Sequence, residues 1–458
     1  MTHIHTELQP MQPLPQFVKN LPRTRIVCTI GPATGNVAKA RALIRAGMSV
    51  ARLNLSHGDS RQHFEYVNAI REAAKQMGVS IGILADLPGP KYRIGTVDND
   101  LAVMENGRLG IQVAARDKFV LTGERVLTTP KRGTVWPAGL HHDIKPRARI
   151  LIDEGAVEMR VDKVEAHEIH CTIRRGGLIQ SDKAVTAPGN TSTLDYFTDE
   201  TVEALNFAVE ADVDFVGLSY IRNRQDLRAV RKWLADAGCN PALVAKIEIK
   251  QAVDNLAEIL DETDAIMVAR GDLGVEMPLH LVPTTQKRMI RLANEVGKPV
   301  ITATQMLESM RDNPYPTRAE STDVYNAVRD GTDAVMLSAE TSVGDHPVAA
   351  VRFMARVSKV AERFLDNQML SNRRMAIIDK EGRNAQIDAI IAFDAARTAD
   401  TLRSKAIITF TETGTTADRV AAFRPRTPII ALSPNPKTLA NLSMRWGVIP
   451  LLADRLTE

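Results

Sequence analysis

The sequence predicts an α/β fold: a (β/α)8 barrel with a β-rich domain inserted after its third strand and a small α/β domain after its eighth. Three observations carry this. From Arg23 onward, short apolar runs alternate with amphipathic helical stretches, the pattern of parallel strands crossed over by helices. Polar residues stand at the C-terminal ends of these runs, at Ser56, Asp86, Ser219, Glu248, Asp272, Thr304 and Ser338. A barrel spreads such residues around its rim, whereas an open sheet gathers them at one switch point. Between roughly Gly89 and Ala187 the period changes to two, as in Ile150-Leu151-Ile152 and then Val157, Met159 and Val161 interleaved with Glu158 and Arg160.

In order, the barrel strands are expected at Arg25 to Ile30, Met48 to Leu55, Ile81 to Ala85, Val213 to Leu218, Leu243 to Ile247, Ala265 to Val268, Pro299 to Thr302 and Ala334 to Leu337. The insertion is bracketed by Pro88-Gly89-Pro90 and Ala187-Pro188-Gly189, stiff and permissive residues at two adjacent crossings, so the module could swing as a lid. After the eighth strand a helical stretch from Pro347 is expected to lead through the polar segment Ser371 to Arg374 into the last domain. There Ile387, Ile390 and Ile391 mark one helical face, followed by strands at Ala406 to Phe410, Pro428 to Leu432 and Gly447 to Pro450, with a short helix ending at Phe423. The expected division is an N-terminal arm (1–22), a barrel (23–87 and 188–362), a lid (88–187) and a C-terminal domain (363–458).

Composition narrows the function. A formal net charge of +3 over 458 residues gives no basic face for nucleic acid, which leaves small molecules as the expected partners. No apolar run reaches membrane-spanning length, and Met1-Thr2-His3-Ile4-His5 lacks a signal-peptide core, so a cytoplasmic enzyme is expected. Cys28, Cys171 and Cys239 are too widely spaced to pair as metal ligands and read as buried thiols of a reducing compartment. His3 and His5 read as part of a frayed arm before Pro13 and Pro15.

Lys246 and Glu248, two apart on one strand, share a face, and Asp272 follows on the turn Arg270-Gly271-Asp272-Leu273-Gly274. Two carboxylates suit a hard divalent cation, and an ammonium beside them suits a transferring phosphoryl group. A buried ion pair beside an ordinary turn fits the same residues. On the second strand Arg52, Asn54 and Ser56 face inward, and Arg52 needs an anion, which Asp86 or a substrate phosphate could supply; a structural polar layer is the alternative.

These stretches resemble the pyruvate kinase family, together with Ile26 to Ala33, Gly297 to Leu307, Pro316 to Glu320 and Asp330 to Thr341. The similarity runs from about Arg23 to about Pro450. It implies Mg2+-dependent phosphoryl transfer from phosphoenolpyruvate to ADP, with Mn2+ able to serve on the same ligands. By position, Glu248 and Asp272 would hold the divalent ion, Lys246 the phosphoryl group in flight, and Arg52 its oxygens. Backbone N–H groups from Arg270 through Gly271 to Asp272 would receive the substrate carboxylate. Thr304 and Ser338 would lie on the path of the proton that converts enolate to pyruvate. Arg93, His57 and Lys183 match positions that approach the nucleotide phosphates, Lys183 delivered by the lid, although each alone would most often be a solvated surface charge.

The chain departs from the family's common pattern in two places. Potassium-dependent members bind K+ at the positions of Asn54, Ser56, Asp86 and a following threonine, and carry glutamate four residues further on. Here those last two are Leu87 and Lys91, as in the potassium-independent branch, so an internal ammonium is expected to replace K+. The loop Thr411-Glu412-Thr413-Gly414-Thr415-Thr416 matches an effector site, where a phosphorylated effector would sit. The resemblance implies two further strands past the strand at Gly447, which puts effector control and the family's homo-tetramer in doubt. A magnesium-dependent lyase or aldolase acting on enolates, and a catalytically silent effector-binding homologue, are the competing readings. Lys246 and the lid argue against the first, and the intact Lys246, Glu248 and Asp272 against the second.

Overall fold

A computed structural model describes residues 15–105, 107–190, 192–381 and 387–453; the histidines at positions 3 and 5 and Pro13 lie outside them. Eight parallel strands close into a barrel in chain order: β1 (Arg25–Thr29), β2 (Met48–Asn54), β3 (Gly82–Leu87), β4 (Phe215–Leu218), β5 (Ala242–Ile247), β6 (Ala265–Ala269), β7 (Val300–Ala303) and β8 (Ala334–Leu337), with β8 pairing back to β1. Strand alternation sorts two apolar layers. Val27, Val50, Leu84, Val244, Met267, Ile301 and Met336 fill the interior, while Leu53, Leu87, Leu218, Leu243 and Ile247 face the surrounding helices. The interior layer also contains Met444, from the C-terminal domain, and Gly82 N–H donates to Ser443 Oγ at 3.0 Å. The C-terminal domain therefore caps the mouth at which the strands begin, leaving the other mouth for chemistry.

The lid folds as a second closed barrel of seven strands, entered at Tyr92–Ile94 and left at Ala184–Thr186. Those two strands pair with each other, Arg93 opposite Ala184 and Tyr92 opposite Val185. Its own core comprises Phe119, Leu121, Ile150, Ile152, Met159, Val161, Ile169 and Ile173 among others. The lid turn Asp153–Gly155 packs against the helix Arg270–Glu276. Gly89 is required at the inbound crossing because a Cβ there would come within 2.7 Å of the Ser219 carbonyl oxygen.

The C-terminal domain is a parallel three-stranded sheet of Ile407–Phe410, Ile429–Ser433 and Val448–Leu452, flanked by helices. One expectation is corrected here. The segment from Ser371 to Arg374 is not a link but the interior of a helix, Asn367–Glu381, and Arg374 spends its charge on the Glu295 carbonyl and on the Phe423 ring. The isoleucine stripe of the helix Ile387–Thr401 points outward, with Ile387 76 % and Ile391 62 % exposed; Ala389, Ala392, Ala396 and Ala399 form its buried face. Small residues there let the helix approach its neighbours closely. Cys28 and Cys171 are buried and Cys239 half-buried, all three as free thiols.

Candidate active site

The rim of the barrel concentrates charge where strand alternation turns polar side chains inward. Arg52, at the end of β2, donates from Nε to Asp86 Oδ2 (2.7 Å) and from Nη1 to Thr29 Oγ1 (2.9 Å). Lys246, near the end of β5, lies 2.9 Å from both Asp86 Oδ1 and Glu248 Oε1 and donates to Ser219 Oγ at 2.6 Å. Asp86 thus answers two cations, one on each oxygen. All four charged groups are at least nine-tenths buried.

Burial alone would lower the Lys246 pKa, but Asp86 and Glu248 reverse this and hold the ammonium above the usual lysine range. Burial would raise Asp86, and Lys246 and Arg52 overcome it and pull its pKa down. For Glu248 burial wins: its pKa is raised despite Lys246, with Asp272 adding to the rise. Asp272, on the first turn of the helix Arg270–Glu276, is lowered, because Lys91 and Lys246 outweigh its burial. Glu276, at the far end of the same short helix, is pushed up to about 7 by burial, against a 3.3 Å hydrogen bond that it accepts from Gly189 N–H at the outbound crossing of the lid.

Lys91 takes its partner outside the expected monovalent-cation residues. Its ammonium reaches Asp272 Oδ1 at 2.9 Å and lies over the Tyr220 ring, 4.4 Å from the centroid. Among the described residues it makes no hydrogen bond to Asn54, Ser56 or Asp86. Leu87 turns its side chain into the apolar layer under the helices, and only its carbonyl faces the rim, where Ser219 Oγ donates to it at 2.7 Å.

The other expected residues fall into four groups. Thr304 is part of the cluster: its Oγ1 accepts from Gly271 N–H at 2.9 Å, and its backbone is held at φ +64° by Arg270, which donates to the carbonyls of Ala303 and Thr304 and to Asp323. The Arg270 side chain therefore builds the loop after β7 rather than pointing into the cleft. Ser338 caps β8, with its N–H donated to Glu340 Oε2 at 2.6 Å. His57 is exposed, and Arg93 and Lys183 are engaged within the lid, Arg93 with the Asp182 carbonyl and Lys183 with Asp153 at 3.0 Å. No contact joins these three to the Lys246 cluster among the described residues. In the C-terminal loop, Gly414 (φ +93°) donates its N–H to Thr411 Oγ1 at 2.9 Å, and the Thr413 and Thr415 hydroxyls meet at 2.9 Å. Tyr220 and Glu276 were not anticipated from the sequence. The position of Tyr220, one past a polar rim residue, was the available signal.

The donor set fits a hard divalent ion. Glu248 and Asp272 offer carboxylate oxygens at one rim, and burial raises the Glu248 pKa even with Lys246 beside it, so this carboxylate still has charge for a cation to meet. Two carboxylates with the remaining positions left to water and substrate oxygens suit Mg2+.

Comparison with known proteins points the same way. The family model "Pyruvate kinase, barrel domain" matches residues 21–351, and "Pyruvate kinase, alpha/beta domain" matches residues 389–458. Pyruvate kinase 2 of Synechocystis sp. is 42 % identical over 432 residues, spanning 94 % of this chain and 70 % of that protein. The Geobacillus stearothermophilus pyruvate kinase is 42 % identical over 429 residues, 93 % of this chain and 71 % of its own length. A crystal structure of a pyruvate kinase from Cryptosporidium parvum superposes with a TM-score of 0.90 at 35 % identity, covering 98 % of this chain and 90 % of the other.

Proposed function

This chain belongs to the pyruvate kinase family, a family of divalent-metal-dependent phosphotransferases, and we propose that its rim cluster transfers a phosphoryl group from phosphoenolpyruvate to ADP with Mg2+ and without a required monovalent cation. The observation that carries the reading is Lys246, buried between Asp86 and Glu248 with Asp272 alongside. In this reading Glu248 and Asp272 hold the divalent ion. When bound, the ion neutralises charge on the phosphoryl oxygens and orients them. Lys246, kept protonated, meets the charge that builds on the phosphoryl group as its bond to the enol oxygen breaks and a bond to the terminal ADP oxygen forms. Arg52 binds the same oxygens from the other side, and Asp86 keeps both cations in place. The enolate left behind takes a proton near Thr304 and Ser338 and becomes pyruvate.

Lys91 supplies on the protein the positive charge that K+ would otherwise bring, delivered onto Asp272. Arg93, His57 and Lys183 would meet the nucleotide when the lid closes, Lys183 exchanging Asp153 for a phosphate. The Thr411 to Thr416 loop would accept a phosphorylated effector. Free cysteines support a cytoplasmic setting, and the exposed Ile387, Ile391, Ile408 and Phe410 support a homo-oligomer.

The test is a coupled assay for pyruvate from phosphoenolpyruvate and ADP, with Mg2+ supplied, K+ omitted and ionic strength matched by a bulky ammonium salt. Full turnover is expected, and Asp272→Asn should lower it by orders of magnitude. Absence of pyruvate from the folded protein would overturn the reading, and strong activation by K+ would overturn the role of Lys91.

A further inference from the structure

Tyr220 directly follows Ser219 past the end of β4, and its backbone stands at φ +56°. A tyrosine takes that left-handed conformation only where its surroundings hold it. Three contacts do so. Its backbone N–H donates to Glu248 Oε2 at 2.8 Å, its phenol donates to Asp272 Oδ1 at 2.7 Å, and its ring faces the Lys91 ammonium. One residue therefore touches both metal-site carboxylates and the internal cation.

We propose that Tyr220 is the positioning residue of the divalent-metal site, fixing Glu248 and Asp272 relative to each other and steadying Lys91 beside them. The first part follows from the donors. The phenol and the Lys91 ammonium both fall on Asp272 Oδ1, so Oδ2 is the oxygen left to meet a cation among the described contacts. A hydrogen bond to a metal-binding carboxylate orients it without adding charge, and losing such a bond costs metal affinity. The second part follows from geometry. The Lys91 ammonium meets Oδ1 and the face of the Tyr220 ring, 4.4 Å from its centroid, at the same time, so cation–π attraction steadies it there while Oδ2 stays open.

The proposal rests on reading Glu248 and Asp272 as the metal carboxylates, and the experiment separates the two. Mn2+ binding to the full-length protein without substrates is measured by electron paramagnetic resonance for the unmodified protein, Tyr220→Phe, Asp272→Asn and the double variant. Tyr220→Phe keeps the ring beneath Lys91 and removes only the hydroxyl. It is expected to bind Mn2+ about tenfold more weakly. In the Asp272→Asn background the same change should have little effect, because the carboxylate it orients is gone. In turnover, the Mg2+ concentration for half-maximal rate should rise about as much, with a smaller fall in kcat. Unchanged Mn2+ affinity in Tyr220→Phe beside a weakened Asp272→Asn overturns the role of Tyr220 alone. Unchanged affinity in Asp272→Asn overturns the metal assignment beneath it.

Discussion

Lys91 shows how far a single side chain can be read from spacing alone. Leu87 and Lys91 together signal an internal cation, but sequence spacing cannot say which carboxylate it will reach, and the structure takes it to Asp272 instead of the Asn54, Ser56 and Asp86 group. Replacing it by glutamate would set a third carboxylate beside Asp272 and Glu248. Lys91→Glu is therefore expected to lower the Mg2+ concentration for half-maximal rate and to create a dependence on K+, measured in the coupled assay with and without the ion. Lys246→Met is expected to abolish phosphoryl transfer while leaving proton exchange into bound pyruvate measurable by NMR, since the proton comes by another route. Glu276 carries a pH signature. Burial holds its pKa at about 7 against the ordinary 4.5, so between those values the folded protein binds a proton that the unfolded chain has lost. Stability from this group is complete at low pH, declines as pH climbs through that window and is level above it. Glu276→Gln does not titrate, so in urea unfolding without metal it should gain about 1–3 kcal/mol on the unmodified protein between about pH 5 and pH 8. A difference independent of pH would remove Glu276 from the titrating groups.

At the scale of elements, strands were the most legible, because a barrel strand faces apolar surroundings on one side and the rim or interior on the other, and period two survives in the sequence. The helices of the C-terminal domain were less so. In the helix Ile387–Thr401 the residues that pack are alanines, and the isoleucines that drew attention lie outside. The Tyr220 contacts were illegible for a different reason: β4, β5, β6 and the lid crossing each supply one partner, and no local pattern records their meeting. One element beyond the cluster bears on it directly. The helix Arg318–Asp330 opens with a capping box between Thr317 and Glu320, and its Asp323 holds Arg270, which in turn holds Thr304 in its left-handed turn. Thr317→Ala should cost about 1 kcal/mol of stability in urea unfolding. Asp323→Ala should cost activity more than stability, seen as a fall in kcat with little change in melting temperature. Equal losses in both would mean that Arg270 does not govern Thr304.

For the whole molecule, the order of domains was readable from where the period changes, whereas the docking of the C-terminal domain onto the barrel was not, because its contacts are long-range and charged. Arg424 reaches across to Asp333 at the start of β8 (2.7 Å), to Asn294 and to the Gly331 carbonyl, with Trp446 against its guanidinium. Arg424→Met is expected to destabilise this junction by about 3 kcal/mol and to split one calorimetric transition into two. The lid crossing has a consequence for how the chain folds. Bringing β3 to β4 means closing a loop that contains the entire inserted domain, and the entropy of closing a flexible loop grows with its length, by about 0.6 kcal/mol per doubling. Yet Tyr92–Ile94 and Ala184–Thr186 are hydrogen-bonded side by side, so once the insertion has folded, its two ends are already together. The barrel then has only Pro88 to Lys91 on one side of that ladder, and Ala187 to Asp214 with its helix Asp199–Glu210 on the other, left to order. Insertion size and barrel closure are thereby uncoupled: the lid can form first, as its own closed sheet, and hand the barrel a connection the length of an ordinary helical crossover in place of a far longer one.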